Sequence, residues 1–110
     1  DKHYDYVEFV MKYIAEHYYD DISLSDLARV AHISVNYLSA LFKKEVGTCF
    51  KTFLVQYRIN KAIDVLNEKN IPLRDVAEIV GFNDYAHFSK MFKKVTGKTP
   101  SQIVNELILN

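Results

Sequence analysis

The chain is poor in the residues that break or cross-link a backbone. Its single cysteine, Cys49, leaves no partner for an internal disulfide and fits a reducing compartment. Three glycines and two prolines among 110 residues leave little material for long irregular loops, so short connections and a helix-dominated chain are expected. No apolar run approaches the ~20 residues that a membrane-spanning helix requires. The N-terminus shows no signal-peptide pattern, and the start at Asp1 rather than methionine leads us to expect a piece of a longer protein. Net charge is also missing, with 14 basic and 14 acidic side chains. A neutral total speaks at first against a polyanionic partner.

The distribution of charge says more than its sum. Residues 1–30 hold seven acids and three bases, a balance of −4, whereas residues 31–110 hold eleven bases and seven acids, a balance of +4. A basic face is therefore compatible with the neutral total. Apolar residues make up 49%, enough to fill a core in one compact domain or in two small ones.

Helical periodicity runs through the chain, and no strand pattern competes with it. Val7, Val10, Met11, Ile14 and Tyr18 predict an amphipathic helix over about residues 4–18, broken by Asp20 and Asp21. Ser23 is a natural cap for a short helix carrying Leu24, Leu27, Ala28 and Ala31. After a turn at His32, Ile33 and Ser34, the next helix carries Tyr37, Leu38, Leu41 and Phe42 and ends near Gly47. A long helix is expected over about residues 49–69, where the apolar stripe drifts from Phe50, Phe53, Leu54 and Tyr57 to Ile59, Ala62, Ile63 and Leu66. Such a drift fits a rod whose two ends pack against different partners. Pro72 precedes a helix with Leu73, Val76, Ala77 and Val80 inward and Gly81 at its end. Asn83 or Asp84 can cap the following helix, with Tyr85, Phe88, Met91 and Phe92, which stops at Gly97. Thr99, Pro100 and Ser101 open a last helix with Ile103, Val104 and Leu107, where proline suits the first turn.

Two stretches repeat. Leu24-Ser25-Asp26-Leu27-Ala28 matches Leu73-Arg74-Asp75-Val76-Ala77 at an offset of 49 residues, and Leu41-Phe42-Lys43-Lys44 matches Met91-Phe92-Lys93-Lys94 at an offset of 50. The second turn thus holds one extra residue. Each copy reads as a short helix, a tight turn and a second helix. Ala28 and Ala77 are small enough to let the paired helices cross closely. Gly81 stands where positive φ is cheap, and His32 holds that place in the first copy, so the first turn is expected to be strained.

Two helix-turn-helix units on a stiff spacer suit duplex DNA. A recognition helix enters a major groove with its N-terminal residues at the base edges, and grooves on one face recur every ~34 Å. A 20-residue helix spans ~30 Å, a comparable length. In the first unit Val35, Asn36, Ser39 and Ala40 are the candidate base contacts: Asn36 for an adenine edge, Ser39 for either base type, Val35 and Ala40 for thymine methyls. In the second unit they are Tyr85, Ala86, His87 and Lys90, with Lys90 suited to guanine acceptors or a phosphate and His87 to a base edge or a phosphate. Tyr37 and Tyr85 read better as core or cap packing than as base stackers. Candidate phosphate contacts are Ser34, Lys43 and Lys44 in the first unit and Asn83, Ser89, Lys93 and Lys94 in the second, with Arg58 and Lys61 on the spacer weaker.

These residues resemble the DNA-binding domain of the AraC/XylS family of bacterial transcription regulators. The likeness runs from Leu24 to Gly47, through Tyr57-Arg58-Ile59-Asn60-Lys61-Ala62, and through Val76 to Phe82. It ends with Phe88-Ser89-Lys90-Met91-Phe92-Lys93-Lys94 and Gly97-Lys98-Thr99-Pro100. Asn36-Tyr37-Leu38-Ser39 looks most like the subgroup fused behind response-regulator receiver domains.

The resemblance implies an all-α fold of seven helices. A first subdomain over residues 1–48, a linker helix over 49–69 and a second subdomain over 70–110 are expected. It also implies promoter DNA as partner, a cytoplasmic activator able to engage RNA polymerase, and a sensing or receiver domain N-terminal to this region. The same likeness puts base reading at Asn36, Ser39 and Ala40, and at Ala86, His87 and Lys90. One departure stands out: Ile103-Val104 replaces the Tyr-Arg pair that usually follows this family's Thr-Pro, which removes a basic residue near the C-terminus.

Other function classes fare worse. A helical protein-interaction module is the alternative, and it predicts no salt-sensitive affinity for DNA. An enzyme is not expected: the sequence has no C-x-x-C or H-E-x-x-H spacing, no Gly-rich phosphate loop and no nucleophile motif, so neither metal nor cofactor is anticipated.

Overall fold

The computed structural model describes residues 5–109, so Tyr4, the expected start of the first helix, lies outside the described residues. Seven helices follow in order: α1 (Tyr6–His17), α2 (Leu24–Val30), α3 (Val35–Val46), α4 (Phe50–Glu68), α5 (Leu73–Ile79), α6 (Tyr85–Thr96) and α7 (Pro100–Leu109). No strand occurs among the described residues. The chain forms two compact units that divide between Leu54 and Val55, within α4.

Local chemistry sets most helix ends. Asp5, Ser23, Ser34 and Asp84 each use a side-chain oxygen to accept an otherwise unbonded amide at a helix start, from Glu8, Asp26, Tyr37 and Ala86 respectively. Each such cap is worth ~1 kcal/mol. Helix α7 begins with a reciprocal pair: the Thr99 amide donates to Gln102 Oε1 at 2.8 Å, and the Gln102 amide donates to Thr99 Oγ1 at 3.2 Å. Gly47 and Gly97 close α3 and α6 in the left-handed region, at φ 93° and 87°.

In the first unit α3 packs against α1 and α2. Its core is Val7, Val10, Ile14, Leu27, Ala28, Leu38, Phe42, Phe50 and Leu54. Phe42 sits edge-on to Phe50 and Phe53, with ring centroids 5.9 and 5.7 Å away. In the second unit α6 packs against α5 and α7. Its core is Ile59, Ala62, Leu66, Val76, Ala77, Val80, Phe82, Phe88 and Phe92. The early residues Phe53 and Tyr57 of the long helix, and Ile63 further on, are only half-buried.

Two expectations about packing change. Tyr37, read as part of the apolar stripe or as cap packing, is 54% exposed. It lies on the flank of α3, where the phenol group can stay in water while one ring edge touches a neighbour. Leu107, grouped with Ile103 and Val104 as the apolar residues of the last helix, is also exposed. Phe82 joins the core from a turn, where helical periodicity gives no signal.

Candidate nucleic-acid interface

Each unit builds its second helix from the turn before it. In the first, the amide of Ile33 donates to the carbonyl of Ala28 at 3.0 Å, and that of His32 to Arg29 at 3.1 Å. In the second, Phe82 donates to Ala77 at 2.9 Å and Gly81 to Glu78 at 3.1 Å. Both patterns are Schellman closures, in which a left-handed residue reverses the chain and an apolar residue folds back onto the helix. The left-handed residues are His32, at φ 61°, and Gly81, at φ 103°. The strain expected at His32 is therefore present. Ala28 and Ala77 are both buried, in helices that pack against α3 and α6 respectively.

After the closure the copies differ by one residue. Ser34 caps α3 directly after Ile33, whereas Asn83 intervenes before the cap Asp84. This is the step from an offset of 49 to one of 50. Of the two caps expected for α6, Asp84 is the one used, and Asn83 stays exposed in the turn.

Helix α3 presents Val35, Asn36, Ser39, Ala40, Lys43 and Lys44 to solvent. At ~100° per residue, Asn36, Ala40, Lys43 and Lys44 form the middle of its outer face, opposite Leu38 and Phe42. Ser34 accepts the Tyr37 amide at 3.0 Å, which leaves its O–H free to donate. Lys43 and Lys44 fall in the last turn, where positive charge also complements the helix dipole.

Helix α6 repeats the plan with different chemistry. Ala86, His87, Lys90, Lys93 and Lys94 are exposed, while Tyr85 and Ser89 are half-buried on one flank. Tyr85 packs its ring 5.8 Å from Phe88, so packing accounts for much of this side chain. His87 is held edge-on against Phe82 at 5.5 Å, and Phe82 also has the Arg58 guanidinium 6.0 Å from its ring centroid. Lys61 lies over the Tyr57 ring at 5.5 Å.

Ionisable groups elsewhere show local effects. A hydrogen bond from Ser23 and, after it, one from Arg29 hold the Asp26 carboxyl below its ordinary range; the Arg29–Asp26 contact is 2.9 Å. Cys49 stands just before α4, where its carbonyl accepts the Phe53 amide at 3.0 Å. Its Sγ lies 3.2 Å from Thr52 Oγ1, and donation from the Thr52 hydroxyl and then the Thr52 amide to the thiolate, helped by Lys43, lowers the thiol pKa. Among the described residues no cluster of three or more His, Cys, Asp or Glu could hold a metal ion, and no helix is long and apolar enough to cross a membrane.

Sequence reasoning placed the exposed faces of both second helices but missed Tyr37 as a solvent-facing residue of α3. The available signal was the repeat itself, since the offset of 50 aligns Tyr37 with His87.

Comparison with known proteins fits this geometry. A protein-family model described as a helix-turn-helix domain matches residues 27–106. The C-terminal domain of AraT, a response regulator from Geobacillus stearothermophilus, is similar over 96% of this chain and 88% of its own, with 31% identity and a TM-score of 0.89. The C-terminal domain of the two-component response regulator yesN from Fusobacterium nucleatum is 38% identical, covering 86% of this chain and 93% of its own, with a TM-score of 0.81. The Msm operon regulatory protein of Streptococcus mutans is 30% identical over 93% of this chain, which spans 37% of that relative's length.

Proposed function

Because this chain belongs to the helix-turn-helix domain family of the AraC type, we propose that it binds double-stranded promoter DNA sequence-specifically, as the DNA-binding part of a bacterial transcription regulator. The family is one of regulator domains and not a class of enzymes. One observation carries the reading. Each unit sets a 12-residue helix behind a tight turn, with exposed residues at its start and a lysine pair in its last turn.

In this reading α3 and α6 lie in adjacent major grooves. The start of each helix meets base edges, and the lysine pairs Lys43-Lys44 and Lys93-Lys94 neutralise phosphates. Helix α4 has 19 residues, a length of about 28 Å at ~1.5 Å per residue. Base contacts fall to Asn36, Ser39 and Ala40 with Val35, and to Ala86, His87 and Lys90 with Tyr85. Ser34, Asn83 and Ser89 add phosphate contacts. The half-buried placement of Tyr85 and Ser89 makes them the lesser contributors.

The short, weakly polar set on α3 reads sequence loosely, while Lys90 and His87 on α6 discriminate more sharply. Residues 1–48, 49–69 and 70–110 then serve as first reader, spacer and second reader. The intact regulator is cytoplasmic, carries a sensing or receiver domain ahead of this region and activates transcription by engaging RNA polymerase. Likeness to the C-terminal domains of two response regulators supports the receiver domain.

Selection of bound duplexes from a random pool, followed by affinity titration at several salt concentrations, tests the function. Enrichment of a site with two half-sites about one helical turn apart, and an affinity falling steeply with salt, is the expected result. Absence of any salt-sensitive duplex affinity would favour a protein-interaction module instead.

A further inference from the structure

Tyr37 is a large aromatic residue left in solvent on a helix that has an adequate core. It is 54% exposed, although the same helix buries Leu38 and Phe42 completely. Its ring is not loose: the Tyr6 ring meets it edge-on, with centroids 6.3 Å apart and planes at 84°. Among the described residues its hydroxyl has no hydrogen-bond partner, while its amide is tied to the Ser34 cap. A braced ring with an unengaged hydroxyl loses little conformational entropy when that hydroxyl meets a ligand.

The repeat supplies a second observation. Tyr37 is the third residue of α3 and His87 the third of α6. Both rings are braced edge-on by an aromatic residue from outside their own helix, Tyr6 for one and Phe82 for the other. Each unit thus holds an aromatic hydrogen-bonding group at the same point of its recognition helix.

Helical geometry narrows the target. At ~100° per residue, Tyr37 and Lys44 lie about 20° apart around the helix, whereas Tyr37 and Asn36 are about 100° apart. Tyr37 therefore lies on the Lys44 side of the exposed face, away from Val35, Asn36 and Ser39, which would meet base edges. We infer that Tyr37 is a DNA-contacting residue whose hydroxyl donates a hydrogen bond to a backbone phosphate bordering the groove read by α3. The inference rests on the DNA-binding reading and adds a neutral phosphate anchor to it. That anchor positions a helix whose own base contacts are short.

The test uses the 110-residue chain, a duplex enriched from a random pool, and the variants Y37F, Y37A and Y19F. Tyr19 is a control tyrosine, 50% exposed and outside the recognition helices. Affinity is measured by fluorescence anisotropy across a salt series, with thermal melting alongside. Y37F keeps the ring and its contact with Tyr6, so its melting temperature stays at the wild-type value. Its affinity falls about tenfold, the scale of one hydrogen bond to a charged group, and falls alike on specific and unrelated duplexes. Its log–log salt slope is unchanged, because a neutral donor releases no counterion. Y37A loses at least as much, and Y19F loses nothing.

Wild-type affinity in Y37F overturns the inference. A loss confined to duplexes with one particular base pair also overturns it, since that marks base reading. A wild-type chain without salt-sensitive duplex affinity overturns the DNA-binding reading itself, a result distinct from a binding wild type with an unaffected Y37F.

Discussion

His32 and Gly81 hold the same place in the two repeats, and both backbones turn to positive φ there, 61° and 103°. The histidine carries a Cβ into a region that costs an L-residue ~1–2 kcal/mol, whereas glycine enters freely. Gly81→Ala is expected to destabilise the fold by ~1–2 kcal/mol. His32→Gly is expected to stabilise it by less than ~1 kcal/mol, since the strain released is offset by a more flexible unfolded chain. Urea denaturation of both variants checks the pair; a destabilised His32→Gly would show that the imidazole contributes more than its backbone costs.

Lys90 is the exposed cation nearest the start of α6 that could meet guanine acceptors. Lys90→Ala should weaken binding to the selected site by ~1–3 kcal/mol and relax preference at one base pair. Unchanged affinity together with an unchanged footprint would remove Lys90 from base reading.

The lysine pair at the end of α3 should act differently. Replacing Lys43 and Lys44 with alanine is expected to weaken binding to all duplexes alike. The magnitude of the log–log salt slope should drop by about 0.9 for each phosphate that is no longer neutralised. Salt titration on specific and scrambled duplexes reads this directly, and weakening restricted to the specific duplex would point to base reading.

Asp26 couples the first unit to pH. Its carboxyl pKa is lowered by the Ser23 hydrogen bond and then by Arg29. A depressed carboxylate contributes stability above its ordinary pKa, and that contribution disappears as pH falls through the lower folded value. Asp26→Asn should flatten the acid limb of the stability curve while leaving the neutral limb parallel to wild type. Because the group lies at the surface, the change is small and best read as a shift of the acid unfolding midpoint.

Cys49 offers a chemical readout of the start of α4. The interaction with Thr52 stabilises its thiolate. Alkylation rate against pH should therefore rise with a midpoint below that of an ordinary thiol, and Thr52→Val should move it upward. A wild-type midpoint at the ordinary value would mean that the hydrogen bond does not persist in solution.

Legibility from sequence followed the range of the interactions. Ser23, Ser34, Gly47 and Gly97 act within a turn of their own position, so their capping roles could be read from neighbours alone. The repeat exposed the strain at His32, because glycine in the other copy revealed what that backbone requires. Phe82 was opaque, since a turn has no period and its burial depends on packing that the sequence does not display. Tyr37 was misread because tyrosine suits both a core and a wet surface, and its place on the flank of the stripe does not decide between them. Asp84 outcompetes Asn83 as cap of α6 through a detail of turn length, the single additional residue.

That additional residue has a wider consequence. The second turn closes through Gly81 and Phe82, and α6 starts from Asp84, so Asn83 bears on neither event. Its side chain can be exchanged without disturbing the helices on either side. Variation at this one position would alter how the second reader approaches a target while leaving foldability intact, which makes it a natural dial for retuning specificity by selection.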